Sequence, residues 1–353
     1  MRVSGVLGFL LVWVAPATAQ PVWESIAECE SEPIGPVLSL HWGLGSMWVG
    51  TRGHGTHGRL AEFSQEDCRW HEPLDVLSIA DDGNVLWAAE QAGHAMWRLR
   101  DCQWGRWEGG GGGTVGVPAD VTRESHATGS VCYSPFGHEW EYKPEVFEGI
   151  PFLLTRSMRL TVDRVGALWV VYPHILGFGY PVVRFDGDQL ECWDEPDVPD
   201  GSLGALVDEH GRVWVWGDGG ASIFDGSEWT TVPGAPRLDA AGWSNGVFFG
   251  SGSDGTYLLS DSGWELITPE RFRPFAARHE GGVWAVKAGR SVRIITPDEM
   301  IDIAYPNDQY QGGIISLAVD DNGTLWVGDS GGVFRLGHTT AVAGATWGQV
   351  KMK

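Results

Sequence analysis

The sequence predicts an all-β protein: a seven-bladed β-propeller of four-stranded antiparallel blades. Three observations carry this. A short apolar strand, an Asp- or Gly-containing turn and a second strand with a central aromatic recur along the chain. The central aromatics are spaced at propeller intervals. Turn signals separate the short strands, in a chain rich in tryptophan (20 residues).

The cleanest copy is 314–336, IISLAVDDNGTLWVGDSGGVFRL. Its Asp320-Asp321-Asn322-Gly323 turn joins two apolar runs, and Ser330-Gly331-Gly332 turns into a third. Related copies are LTVDRVGALWVV at 160–171, LVDEHGRVWVW at 206–216, LSIADDGNVLWA at 77–88 and VLSLHWGLGSMWVG at 37–50. GVFFG at 246–250 and GGVWAV at 281–286 are weaker copies. The central aromatics are then Trp48, Trp87, Trp169, Trp214, Phe248, Trp284 and Trp326, spaced by 39, 82, 45, 34, 36 and 42 residues. One blade cannot bury both its faces, so a period near forty implies a ring in which each aromatic packs on the next blade.

The doubled spacing falls on 109–150. Five glycines, Gly109–Gly113, lead into a polar, aromatic-bearing segment. It is read as a long insertion between blades two and three. The alternative is a degenerate extra blade with Gly129-Ser130-Val131-Cys132-Tyr133 in the aromatic slot, giving eight blades. Trp23, in PVWESI, resembles the segments that end other blades, so the N-terminal strand is expected to complete the last blade; Thr346–Val350 is the competing candidate.

The motif Asp-x-x-Gly-x-Leu-Trp-Val-Gly at 320–328 resembles the two-component regulator propeller repeat, and the likeness spans about residues 37 to 336. That resemblance implies a propeller of the kind found in periplasmic sensor regions, here without the kinase or membrane span that follows it in sensor proteins. One blade motif serves many tasks, so it implies a fold more than a function.

Residues 1–19 read as a cleavable signal peptide. Arg2 supplies the charge, 6–14 (VLGFLLVWV) the apolar run and Ala17-Thr18-Ala19 the cleavage site. The run is too short to span a bilayer. Residues 20–353 then form a single propeller domain in the periplasm or outside the cell. The formal charge is −22, which disfavours nucleic acid and anionic polysaccharide as general partners. Cysteines stand at 29, 68, 102, 132 and 192. In an oxidising compartment disulfide pairing is expected. Cys68, Cys102 and Cys192 each precede an outer-strand Trp and splay apart, so Cys29 and Cys132 are the better partners.

In a four-stranded blade the second-to-third turn and the link to the next blade open on one face. That places Arg52, His54 and His57 of blade one, Glu90 and His94 of blade two, and Tyr172 and His174 of blade three in one sector. The insertion adds His126, His138, Glu139 and Trp140. All of these except His126 and Glu139, which lie nearby, form the candidate ligand-binding set. His54, His57, His94 and His174 are the candidate metal ligands, since neutral imidazoles with a carboxylate suit a divalent transition metal. Trp216, Trp243 and Tyr172 are candidate stacking surfaces. Asp163, Asp208 and Asp320 read as turn-capping residues.

Two functions are open. One is a secreted or periplasmic binding module presenting the loop face to a protein, peptide or glycan, with no certain cofactor. The other is a metal-dependent propeller enzyme, similar in architecture to virginiamycin B lyase; no residue is carried over from that family. No nucleophile, phosphate or dinucleotide motif identifies a catalytic residue.

Overall fold

The computed structural model describes residues 22–26, 28–52, 58–64, 67–71, 76–90, 95–100, 103–108, 159–171, 182–186, 190–193, 196–278, 280–287, 291–305 and 313–337. Among them, strands assemble into four-stranded antiparallel sheets arranged as blades, plus one two-stranded hairpin.

The blade count expected from sequence is corrected here. Six blades, not seven or eight, are built from a continuous run of four strands: 37–70, 76–108, 159–193, 202–231, 240–268 and 272–303. The remaining four-stranded sheet is a composite of the two chain ends. It takes Ser316–Val319, Leu325–Asp329 and Gly332–Gly337 from one end and Val22–Ile26 from the other. It is called the closure sheet below. Trp23 pairs with Leu336 in it, and Thr346–Val350 lies outside the described residues.

The eight-blade alternative fails for a direct reason. The Leu160 N–H donates to Ser78 Oγ at 3.0 Å. Trp87 of blade two shares a core with Leu160, Leu168, Val170 and Phe185 of blade three. The two blades touch, so no further blade stands between them. The 109–150 segment itself lies outside the described residues.

Each blade contributes an aromatic to the seam with the next, because a sheet buried on both faces needs apolar side chains on both. Trp48 packs with Val76, Ile79 and Leu86. Trp169 packs with Val213, Val215 and Phe224. Trp326 packs with Val37 and Leu40, joining the closure sheet to blade one. Blade five corrects the sequence register. Phe248 faces back onto Trp214, with centroids 4.6 Å apart, and Phe249 faces forward onto Phe272, Val283 and Ile295. The cause is its short turn, Asn245-Gly246. Losing residues from the turn shifts the strand by one position, which swaps the faces of its side chains.

The repeated aspartate turn explains the motif spacing. Asp208 Oδ1 accepts the N–H groups of His210 and Arg212, and Oδ2 accepts Trp214 Nε1–H at 3.0 Å and Arg212 Nε–H at 2.7 Å. Asp163 and Asp320 repeat the pattern, with indole contacts to Trp169 at 2.9 Å and Trp326 at 3.0 Å. The glycine that closes the turn has φ near +80° (Gly166 84°, Gly211 83°, Gly323 78°), a region that other L residues enter at a cost. Blade six keeps the turn but puts Arg278 in the aspartate's place, and its guanidinium lies 5.3 Å from the Trp284 ring centroid. A cation–π contact there stands in for the hydrogen bond.

The closure sheet is clasped to blade one. After Ile26 the chain forms a small hairpin, Glu28–Cys29 with Glu32–Pro33. Cys29 is disulfide-bonded to Cys68 on the outermost strand of blade one, with a Cα separation of 5.3 Å. Trp70 Nε1–H donates to Cys29 O at 2.9 Å, and Arg59 pairs with Glu32. Cys192 is also disulfide-bonded, to a partner outside the described residues.

Two predictions test these elements. Cys29→Ser with Cys68→Ser removes a cross-link spanning 39 residues, expected to cost about 4 kcal/mol by loop-closure entropy; denaturant unfolding with and without reductant measures it. Asp208→Asn keeps the shape but weakens four hydrogen bonds, for an expected loss of about 2 kcal/mol in the same assay, while Asp225→Asn on an exposed turn should change little.

Candidate functional site

The face on which second-to-third turns and blade links open is asymmetric. In the closure sheet and blades four, five and six these turns are short. Two residues separate Gly217 from Gly220, Gly252 from Gly255 and Asp329 from Gly332, and three separate Lys287 from Ser291. In blades one, two and three the connections run 52–58, 91–94 and 172–181. Among the second-to-third turns, all the longer ones therefore belong to three consecutive blades.

The short-turn arc is knitted together by charge. Arg237 Nε sits 2.9 Å from Asp218 Oδ1, tying the blade four–five link to the blade four turn. Arg271 pairs with Asp239, and Lys287 with Glu270. Arg293 reaches both Glu270 and Asp302 at 2.6 Å. The Lys287 hydrogen bond first, then the Arg293 charge, hold the Glu270 carboxyl below its ordinary pKa. Tyr305 Oη–H donates to Asp329 Oδ2 at 2.8 Å, and Trp23 Nε1–H to Ala304 O at 2.6 Å. Exposed pairs of this kind add little stability, about 0–1 kcal/mol each. What they do is hold the links in fixed places.

Of the candidate site residues, two fall on described backbone. Arg52 is exposed, directly after Thr51, with its N–H on Pro36 O at 2.7 Å. Glu90 ends the second strand of blade two, opposite Val76. His54, His57, His94, Tyr172, His174, His138 and Trp140 lie outside the described residues, as do His126 and Glu139. The strand ends that bracket the three connections are described: Thr51 pairs with Arg59, Ala89 with Met96 and Val171 with Val182. Among the described residues no three His, Cys, Asp or Glu side chains are grouped to hold a metal.

The proposed stacking surfaces are corrected. Trp216 is buried in the seam between blades four and five, over Gly204, whose missing Cβ makes room for the indole. Trp243 packs in the same seam, 5.5 Å from the Trp214 centroid. Neither offers a free ring face to a ligand.

Two histidine–carboxylate pairs went unnoticed in the sequence. His41 Nε2 lies 2.6 Å from Asp81 Oδ2, across the seam between blades one and two. A Cβ on Gly43 would strike both groups. His71 Nε2 lies 2.9 Å from Glu62 Oε2, while Ser46 Oγ–H donates to Glu62 Oε1 at 3.0 Å, and the imidazole packs on Trp48. The carboxylate stands between the serine and the histidine, so the histidine cannot draw the hydroxyl proton; this is a structural link rather than a nucleophile–base pair. Neither pair has a sequence signature, because 41 with 81 and 62 with 71 meet only through blade packing and strand pairing.

Both carboxyls are held below their ordinary pKa. For Glu62 the His71 hydrogen bond is the main cause, against burial and with help from Ser46. For Asp81 burial acts upward but is outweighed by the His41 hydrogen bond and charge and by the Gly83 N–H.

No family model matches this chain, and no curated protein matches it. Solved structures do. Virginiamycin B lyase from Staphylococcus aureus, with quinupristin, superposes at TM-score 0.62 and 11% identity over 90% of this chain and 99% of that one. YCF48 bound to D1 peptide superposes at 0.56 and 12% identity over 89% and 96%. The extracellular domain of the putative hybrid two-component system BT3049 from B. thetaiotaomicron superposes at 0.56 and 15% identity over 86% of this chain and 40% of that chain. The chain shares its fold with two-component extracellular propellers. At these identities the likeness is one of architecture. No helix among the described residues is long and apolar enough to cross a membrane.

A depressed carboxylate contributes stability above its unfolded pKa and loses it as pH falls through the folded value. Stability should therefore decline below the ordinary values of 4.5 for Glu62 and 3.8 for Asp81. His71→Phe keeps a ring on Trp48 but removes the partner of Glu62. Its acid-unfolding midpoint, followed by tryptophan fluorescence, should move to higher pH than wild type.

Proposed function

We propose that this protein is a binding module that presents the loop face of blades one to three to a protein, peptide or glycan outside the cytoplasm. The observation that carries the reading is the asymmetry of the second-to-third turns on this face: 52–58, 91–94 and 172–181 belong to three consecutive blades, against two or three residues in the same turns of the other sheets. Loops on a rigid frame are where recognition is usually placed, and the ion-paired arc of the other blades supplies the frame. The residues that would make contact are Arg52, His54, His57, Glu90, His94, Tyr172 and His174, with His138 and Trp140 from the insertion.

The Cys29–Cys68 disulfide supports an oxidising compartment, in keeping with export through the leader at 1–19. That a propeller of similar size holds a peptide, as the YCF48 complex does, supports the peptide form of the reading. The four histidines could also bind a divalent metal that orders the loops.

The test uses residues 20–353 and a variant in which 91–94 and 172–181 are each cut to a two-residue turn. On peptide and glycan arrays the parent should show saturable binding, and the variant should lose it with Tm unchanged. Binding retained by the shortened variant overturns the assignment. Thermal unfolding after chelator and with added zinc separates the metal: a site at ~100 times its Kd adds about 2.7 kcal/mol, and His54→Ala with His94→Ala should abolish that gain.

A further inference from the structure

In blades four, five and six and in the closure sheet, the second-to-third turn is braced by the segment that leads into the same sheet. In blade four the Gly219 N–H donates to Asp200 O at 2.9 Å, and in blade five the Asp239 N–H donates to Ser251 O at 2.7 Å. In blade six Glu270 pairs with Lys287, and in the closure sheet Tyr305 Oη–H donates to Asp329 Oδ2 at 2.8 Å. Blade one follows the same rule with a longer turn, 52–58, and a more elaborate leading segment, which carries the Glu28–Cys29 and Glu32–Pro33 hairpin. That segment reaches both ends of the turn. At the near end the Arg52 N–H donates to Pro36 O at 2.7 Å. At the far end the Arg59 guanidinium pairs with Glu32. Thr51 Oγ1 joins the two ends, accepting the Arg59 N–H at 3.2 Å and donating to Arg59 O at 3.0 Å.

The hairpin does not hold this place by its own pairing. Its strands are two residues each, too short to be stable alone. Its turn residues, Glu30 and Ser31, have φ of 50° and 66°, a left-handed conformation that other turns give to glycine or asparagine. It is fastened from outside. Cys29 is cross-linked to Cys68, Glu30 Oε2 accepts the Trp70 N–H at 3.1 Å, and Cys29 O accepts Trp70 Nε1–H at 2.9 Å. The Arg59 guanidinium lies 4.3 Å from the Trp70 ring centroid, so Trp70 touches the hairpin and the far end of the turn at once. The closure sheet meets blade one through contacts of its own, Trp326 on Val37 and Leu40. The hairpin's ion pair is aimed instead at the turn.

We propose that the hairpin is a splint for the first of the long turns, with Glu32 and Arg59 as positioning residues and the Cys29–Cys68 cross-link as the fastening that keeps the hairpin in place. This deepens the binding reading of the loop face and rests on it: a turn held at both ends loses less freedom on meeting a partner. Opening the cross-link leaves the pairing of Val22–Ile26 with Gly332–Gly337 intact but unbraces the turn.

Native-state hydrogen exchange of residues 20–353, resolved by amide, tests this without any ligand. The reporters are the Arg52 and Arg59 amides at the two ends of the turn, with the amides of Val22–Ile26 reporting on ring closure. Glu32→Gln should speed exchange at Arg59 about threefold. Cys29→Ser with Cys68→Ser should speed it at both Arg52 and Arg59 about tenfold or more, by a larger factor than in Val22–Ile26. Glu24→Gln, which breaks the Glu24–Arg335 pair in the closure sheet, should leave both reporters unaltered. Arg59 exchange no faster in Glu32→Gln overturns the splint. So does an increase in the cysteine variant that Val22–Ile26 matches, because the cross-link would then serve ring closure. Unchanged exchange at Arg52 and Arg59, with array binding lost on shortening 91–94 and 172–181, would defeat the splint alone. Faster exchange as expected, with no array binding by the parent protein, would defeat the binding reading alone.

Discussion

The structure depends on a carboxylate that closes a turn and fixes an indole with the same side chain. In Asp163, Asp208 and Asp320 one oxygen gathers backbone N–H groups and the other takes the indole N–H six residues on. The turn is thereby coupled to the ring that fills the next seam. Turn geometry sets strand register, register sets which face the tryptophan occupies, and that face is the contact with the neighbouring blade. A propeller has no central core, so its cohesion is the sum of such seams. Where the aspartate is missing another device appears: the Gly43 carbonyl for Trp48 and the Arg278 guanidinium for Trp284.

Much of this was legible in the sequence because it is local. The spacing from Asp320 through Gly323 to Trp326 names the turn, the strand and the buried ring in seven residues. Register in blade five was misread because Phe248 and Phe249 are chemically alike, and only the length of the preceding turn tells them apart. Pairings between distant segments were less legible. His41 meets Asp81 only after two blades dock, and Cys29 meets Cys68 only when the small hairpin folds onto the outer strand of blade one. The composite sheet was legible too: its three C-terminal strands are the cleanest repeat copy, and the likeness of PVWESI to other blade ends pointed to the strand that completes it. Of the candidate binding residues, Arg52 and Glu90 can be set on the framework. The inner strands of blades one and two are bulged, between Val37 and Ser39 and between Val76 and Ser78, and this leaves no mark in the sequence, since a bulge is a mismatch between two strands and not a property of either.

Blade one concentrates several reinforcing contacts. It holds the Cys29–Cys68 clasp, the His71–Glu62–Ser46 link and the His41–Asp81 bridge to blade two. Its seam with the closure sheet joins residues from early and late in the chain, as the pairing of Val22–Ile26 with Gly332–Gly337 does within that sheet. The covalent clasp thus lies where the chain passes from the closure sheet through the small hairpin into blade one. The same blade begins the run of longer second-to-third turns, so this reinforcement lies beside the surface proposed for binding.

The closure sheet also imposes an order on assembly. Glu24 and Arg335 are ion-paired across 311 residues, and Val22–Ile26 has no strand to pair with until Gly332–Gly337 exists. A strand made before the blades is therefore among the last to find its place. During synthesis it must wait as an unpaired strand, exposed to premature pairing with other chains. A chain cut short before the final hairpin would keep its six continuous blades but remain an open arc, so completeness of the polypeptide is read out by whether the ring shuts.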